Sequence, residues 1–177
     1  MIQFAQRKQN RLEKYDYSST GSYFVTLCAK NKEEIFGRLD GYAGSLVGAS
    51  IARPQIKLTE IGKAAVEAVR QIPCVYANVS VDTYVIMPNH IHLIISIACG
   101  NDGRAMPAPT PAVSRIVQHF KGSITKAVGF SPWQKSFHDH ILRTQQDYYE
   151  GCQYIENNPA NWLEDTYYYK GHTYDTI

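Results

Sequence analysis

The sequence predicts an α+β fold: a four-stranded antiparallel sheet on a split βαβ plan, with one additional helix towards the C-terminal end. Two observations carry that expectation. Stretches with strand-like alternation and stretches with helical spacing follow one another as strand, helix, strand, strand, helix, strand, and then a further helix. A length of 177 residues with 44% apolar and 19% charged side chains suits one domain, residues 1–177, with a sizeable core.

Residues 1 to 20 are polar and basic and run into the turn-rich "SSTGS". "YFVTLCA", Tyr23 to Ala29, is the first strand, rich in β-branched and aromatic residues. "EIFGRL", Glu34 to Leu39, is short and apolar, and "GYAGSLVGAS" after it holds too much glycine for a helix. The expected role of that segment is a hairpin with "PQIKL", Pro54 to Leu58. "TEIGKAAVEAVRQI" reads as a helix capped by Thr59, with Ile61, Ala64, Ala65, Ala68 and Val69 at helical spacing and Pro73 as its stop. "VSVDTYVIM", Val79 to Met87, and "HIHLIISI", His90 to Ile97, are the second and third strands, joined as a hairpin by the turn signal "PN". Cys99 to Pro111, rich in Gly and Pro, reads as a flexible loop. "AVSRIVQHFKGSITKAVG", Ala112 to Gly129, is a second helix with Ile116, Phe120 and Ile124 four apart, and "SFHDHILR", Ser136 to Arg143, is a fourth strand. "TQQDYYEGCQYIENNP" is a third helix, closed by Pro159, and a tyrosine-rich tail follows. The first six elements match the ferredoxin-like plan.

The formal net charge is only +2, so a nucleic-acid partner requires locally clustered cations. Arg7, Lys8, Arg11 and Lys14 form such a cluster. The first residues lack the apolar core of a signal peptide, and no run approaches the ~20 apolar residues of a membrane span. Cys28, Cys74, Cys99 and Cys152 lie far apart without a CxxC pair, which argues against a zinc ribbon or disulfide framework and for reduced thiols in the cytoplasm.

The third strand carries two histidines where a buried strand has little reason to hold any. Strand alternation puts His90 and His92 on one face, roughly 7 Å apart at Cα, close enough for both imidazoles to reach one divalent ion. Motifs of metal hydrolases and nucleotide hydrolases that begin with the same HxH need an acid or a further histidine where this chain has Ile94 and Ile95. His138 and His140 form a rival pair that spacing alone ranks equally. In the last helix Tyr154 and Asn158 are four apart and share a face: one can take a phosphate covalently, the other is an oxygen ligand for a hard cation. The ordinary reading of each is structural, since the chain has thirteen tyrosines and Asn before Pro is a common helix terminator.

Four stretches in this order, "YDYSSTGSYFVTLCAKNKEEIFG", "VIMPNHIHLII", "RIVQHFKGSITK" and "WQKSFHDHILR" through "YIENNPANW", resemble the REP-associated tyrosine transposases, single-tyrosine HUH transposases of the insertion-sequence transposase-like family. The resemblance spans most of the chain. It implies the HUH endonuclease fold, metal binding by His90, His92 and Asn158, nucleophilic attack by Tyr154, and a supporting role behind the ligands for His140. It further implies Mg²⁺ or Mn²⁺ as the ion and single-stranded or hairpin DNA as the partner, cut through a 5′-phosphotyrosine. Zn²⁺ also suits paired imidazoles. Positions 150 and 158, where a second tyrosine on the same face would stand, are Glu150 and Asn158, and Tyr148 and Tyr149 do not share that face closely; one catalytic tyrosine is expected. Lys121 and Lys126 join the N-terminal cluster as candidate phosphate contacts, and the chain is expected to be a monomer or homodimer. Two other classes of function fit the residues: a DNA-hairpin binder without catalysis, and a zinc-dependent hydrolase built on His90 and His92.

Overall fold

The computed structural model describes residues 20–40, 55–99 and 112–168. Strands β1 (Gly21–Cys28), β4 (Val79–Ile86), β5 (His90–Ile97) and β6 (His138–Leu142) form one sheet in the order β4-β5-β1-β6, every neighbouring pair antiparallel. Helix α1 (Glu60–Val75) joins β1 to β4, and α2 (Val113–Val128) joins β5 to β6. This is the expected α+β, split βαβ arrangement. A small second sheet pairs β2 (Gly37–Asp40) with β3 (Gln55–Leu58), and α3 (Gln145–Asn157) follows the last strand.

The two faces of the main sheet have different jobs. Tyr23, Val25 and Leu27 of β1 and Ile91, Leu93, Ile95 and Ile97 of β5 point into a core shared with Ala65, Ala68, Val69 and Ile72 of α1 and Ile116, Val117, Phe120 and Ile124 of α2. The alternate residues Phe24, His92 and Ile94 meet α3, where a Cβ added to Gly151 would touch Ile94 at 3.2 Å and Phe24 at 3.4 Å. Because β5 is central and covered on both faces, seven of its eight residues are buried. That explains why its sequence reads as an almost unbroken apolar run, and why its two histidines stand out.

Several expectations need adjustment. The partner of "PQIKL" is Gly37–Asp40, not the glycine-rich segment that follows; that segment lies outside the described residues. Helix α1 does not stop at Pro73 but runs to Val75, and the backbone N–H of Tyr76 still closes on Ile72 O at 3.0 Å. A proline in the last turn removes one donor without forbidding the turn. The Thr59 cap is present: its hydroxyl accepts from Gly62 N at 3.1 Å and donates to Ile35 O at 2.6 Å. Gly62 is required there, since a Cβ would lie 2.0 Å from Phe36 O. The cluster of Arg7, Lys8, Arg11 and Lys14, and residues 100–111 of the expected flexible loop, fall outside the described residues. Among the described residues no helix is long and apolar enough to cross a membrane.

Candidate metal centre and nucleophile

Register builds the site. On the inner strands, Thr26 is paired with His92 and Cys28 with His90, so the face beneath α3 gathers a hydroxyl and two imidazoles at one end of the sheet. The two rings lie 4.5 Å apart between centroids and are 0% and 1% exposed. Each is oriented from behind. The Asn89 side chain donates through Nδ2 to Lys32 O (3.2 Å) and Tyr167 O (2.8 Å), which turns its Oδ1 towards His90 Nδ1 at 2.9 Å. An amide oxygen only accepts, so Nδ1 carries the proton and His90 Nε2 keeps a free lone pair. His92 Nδ1 pairs with Thr26 Oγ1 at 2.9 Å, and a proton donated there leaves Nε2 of that ring free in the same way. Burial pushes both imidazoles down to about 3, with the neighbouring Lys32 adding to the effect at His90 and His90 itself adding to it at His92. Both are therefore neutral near pH 7, the form that ligates a metal.

Three buried side-chain atoms here have no hydrogen-bond partner: His90 Nε2, His92 Nε2 and Asn158 Oδ1. An orphaned buried polar atom is costly, and three together describe a space shaped for something they would all bind. Asp165 completes the group. It follows a 3₁₀ turn, Trp162–Glu164, and its carboxylate is 2% exposed. Oδ1 accepts from Tyr167 N at 2.7 Å, while Oδ2 accepts from Asn158 Nδ2 at 2.8 Å and lies 4.0 Å from His90 Nε2. Ligand atoms of His90, His92 and Asp165 all lie within 4.8 Å of one another. Two imidazole nitrogens, a carboxylate and an amide oxygen fit a divalent cation by donor chemistry.

The α3 helix places Tyr154 beside this group. Its start is fixed by a reciprocal capping box: Asp147 N donates to Thr144 Oγ1 at 3.0 Å, and Thr144 N donates to Asp147 Oδ2 at 3.1 Å. Its N-terminal half is tied to the sheet by Tyr148, whose hydroxyl donates to Asp82 Oδ2 at 3.2 Å. Asp82, at a register irregularity in β4 between Val81 and Thr83, shares the face of Ser80, which is paired with Ser96. Two turns on, the Tyr154 ring stands edge-on to His92 (5.3 Å) and Phe24 (5.8 Å), and its hydroxyl lies 3.5 Å from Asp165 Oδ2. Burial and the Asp165 carboxylate raise its pKa above the ordinary phenol range, opposed by the Asn158 amide. Without a cation nearby, the phenol is thus held protonated.

The structure brings together His90, His92, Tyr154 and Asn158. His140 bonds neither imidazole; it pairs with Phe24 across β1 and β6 and lines a groove of about 400 Å³ beside Tyr154 with Phe24, Leu142 and Glu150. Thr26 and Asn89 hold the backs of the rings instead. Lys121 turns inward, donating to Gln134 O and Ser136 O, each at 2.9 Å, with its ammonium 5.6 Å from the Trp133 ring. Lys126 is exposed on α2, the helix packed on the other face of the sheet. Sequence reasoning missed Asp165, Asn89, Thr26 and Tyr167. For Asn89 the signal was its place immediately before His90; for Asp165 there was none, because its reach depends on the turn after Pro159.

No family model matches this chain. An uncharacterized protein of Haemophilus influenzae is 34% identical over 179 residues, spanning 92% of this chain and 93% of that protein. Among solved structures, a REP-associated tyrosine transposase bound to a REP hairpin superposes with a TM-score of 0.55 over 86% of this chain and 74% of that one, at 21% identity. At that identity the likeness is one of fold.

Proposed function

Because this chain belongs to one family with the Haemophilus influenzae protein and has the fold of the REP-associated tyrosine transposase, we propose that it is a transposase-like enzyme that nicks and rejoins single-stranded, hairpin-associated DNA. The observation that carries this reading is the meeting of three orphaned ligand atoms with a tyrosine hydroxyl at one buried carboxylate.

His90, His92, Asn158 and Asp165 would hold the ion, Mg²⁺ or Mn²⁺. When bound, such an ion polarises a phosphate oxygen and offsets the charge that develops on it. The Tyr154 oxygen forms a bond to phosphorus while the bond from phosphorus to the 3′-oxygen breaks. The phenol proton has Asp165 Oδ2 in reach, and the departing 3′-oxygen takes a proton to become a 3′-hydroxyl. The product is a 5′-phosphotyrosine. It keeps a phosphoester bond in the protein, so a later 3′-hydroxyl can reverse the step on another strand without ATP. The closely packed Phe24 and His92 rings limit the positions the Tyr154 ring can take.

The test is incubation of the full chain with end-labelled hairpin DNA carrying a single-stranded flank and Mn²⁺, read on a denaturing gel. Wild type should give a covalent protein–DNA band, and Tyr154→Phe should abolish it while leaving DNA binding intact, since the change removes one hydroxyl and little volume. An equal band from Tyr154→Phe would overturn the assignment. Asp165, as a third protein ligand beside two histidines, also suits a hydrolytic zinc centre. Tightly held zinc with no adduct would favour that second reading, and hairpin binding without an adduct would favour a DNA-binding module.

A further inference from the structure

We propose that Lys32 is a phosphate-binding residue of this site, its ammonium taking a nonbridging oxygen of the DNA backbone beside Tyr154. The ligand named here rests on the strand-transfer reading above; the placement of the lysine does not.

Three independent features of the chain point to it. The first is position. Lys32 ends a short 3₁₀ turn, Lys30–Lys32, which leaves β1 immediately beyond the pairing of Cys28 with His90. Its side chain is exposed, and its ammonium lies 5.7 Å from the centroid of the Tyr167 ring, which is itself 4.6 Å from the His90 ring. The second is how the turn is held. Asn31 and Lys32 have φ of 56° and 57°, a left-handed backbone that residues with side chains rarely adopt. Such a conformation persists only where the surroundings impose it. Here Asn89, 1% exposed, donates to the Lys32 carbonyl through the same amide whose oxygen orients His90. One buried side chain therefore fixes both a ligand nitrogen and the backbone that carries the cation.

The third feature is charge. The groove of about 450 Å³ in front of Tyr154 is lined by Glu150, Glu164 and Asp165 together with the amides of Gln153, Asn157, Asn158 and Asn161. Even with a divalent ion held by Asp165, Glu150 and Glu164 leave this groove net negative, and a polyanionic strand entering it meets repulsion that a cation at the rim would offset. Lys32 reaches that rim, because its ammonium lies 3.4 Å from the carbonyl of Thr166, a lining residue. A single carbonyl contact satisfies one of three ammonium donors and leaves two for phosphate oxygens. Lys121, by contrast, is already turned to two carbonyls of its own chain.

The experiment compares the full-length wild type with Lys32→Ala, Lys32→Arg and, as a control, Lys63→Ala, whose lysine pairs with Glu60 on α1. Affinity for a labelled single-stranded oligonucleotide is measured by anisotropy over a series of salt concentrations. Losing one phosphate contact should flatten the slope of log K against log salt by about 0.7 in Lys32→Ala. Lys32→Arg should restore it, and Lys63→Ala should match wild type. At saturating DNA, Lys32→Ala should also form the covalent adduct about 10-fold or more slowly. A slope for Lys32→Ala equal to wild type overturns the proposal, as does an equal loss in the Lys63→Ala control. If Lys32→Ala melts early, Lys32→Gln, which keeps a donor for Thr166 O, supplies the same slope comparison. Wild type that binds DNA but makes no adduct overturns strand transfer while the slopes still decide Lys32; wild type that binds no single strand overturns both.

Discussion

The two imidazoles at the heart of the site are held neutral by burial, and that has a thermodynamic consequence at the level of single residues. In the unfolded chain each titrates near 6.5; in the folded chain each is depressed to about 3. Above pH 6.5 both states are neutral and the histidines make folding no more or less pH-dependent. As pH falls from 6.5 towards 3, the unfolded chain takes up two protons that the folded chain refuses, so stability drops through that window. We expect chelator-treated protein to show a falling urea midpoint from pH 6.5 downwards. His90→Gln or His92→Gln should flatten the profile, and a profile flat from pH 7 to 4 in wild type would contradict the neutral pair. Adding Mn²⁺ at pH 7 should raise the midpoint, since a ligand that binds only the folded state stabilises it. At this scale much was legible in sequence: the shared face of His90 and His92, and the shared helical face of Tyr154 and Asn158, follow from the two periodicities alone. Asp165 was not legible, because no periodicity relates a turn residue to a strand 70 or so positions earlier.

Among the elements, α3 matters most, because it brings the Tyr154 hydroxyl beside His92 and Asp165. The Thr144–Asp147 box fixes where it starts, while the Tyr148–Asp82 bond and the contacts of Gly151 and Tyr154 with Phe24, Ile94 and His92 hold it on the sheet. Thr144→Ala should cost about 1 kcal/mol of stability. Tyr148→Phe should cost a similar amount, about 0.5–1.5 kcal/mol. Both should slow adduct formation more than they weaken DNA binding, which a single-turnover assay beside an equilibrium titration would separate. A Tyr148→Phe enzyme with wild-type single-turnover rate would show that the bond to the bulge does not position the helix. The helix itself was readable as the run that ends at the Pro159 stop. The bulge at Asp82 was not, because a one-residue irregularity leaves no mark in a sequence whose alternation it merely interrupts. In α1 the converse occurred: Pro73 marked an end that the last turn overran, since the neighbouring backbone bond from Tyr76 to Ile72 survives.

For the molecule as a whole, the element order was enough to give the sheet plan, since few topologies connect six such elements without crossings. The small β2–β3 sheet was only half legible, because its pairing depends on a connection whose glycine-rich composition favours no particular register. The central position of β5 carries one more implication. Its amides are paired with β4 on one side and β1 on the other, and both its faces are covered, so they should exchange with solvent only when the whole domain unfolds. Asp165 and Tyr167 instead sit in a turn beyond the last helix, outside the sheet's backbone ladder and held by side-chain bonds from Asn89 and Asn158. The centre thus joins the central strand of the sheet to a turn that lies outside it. Deuterium uptake followed with and without Mn²⁺ should show the peptide around Asp165 gaining protection out of proportion to the peptide around His90 and His92, because an ion held between them would tie a turn outside the sheet to its central strand.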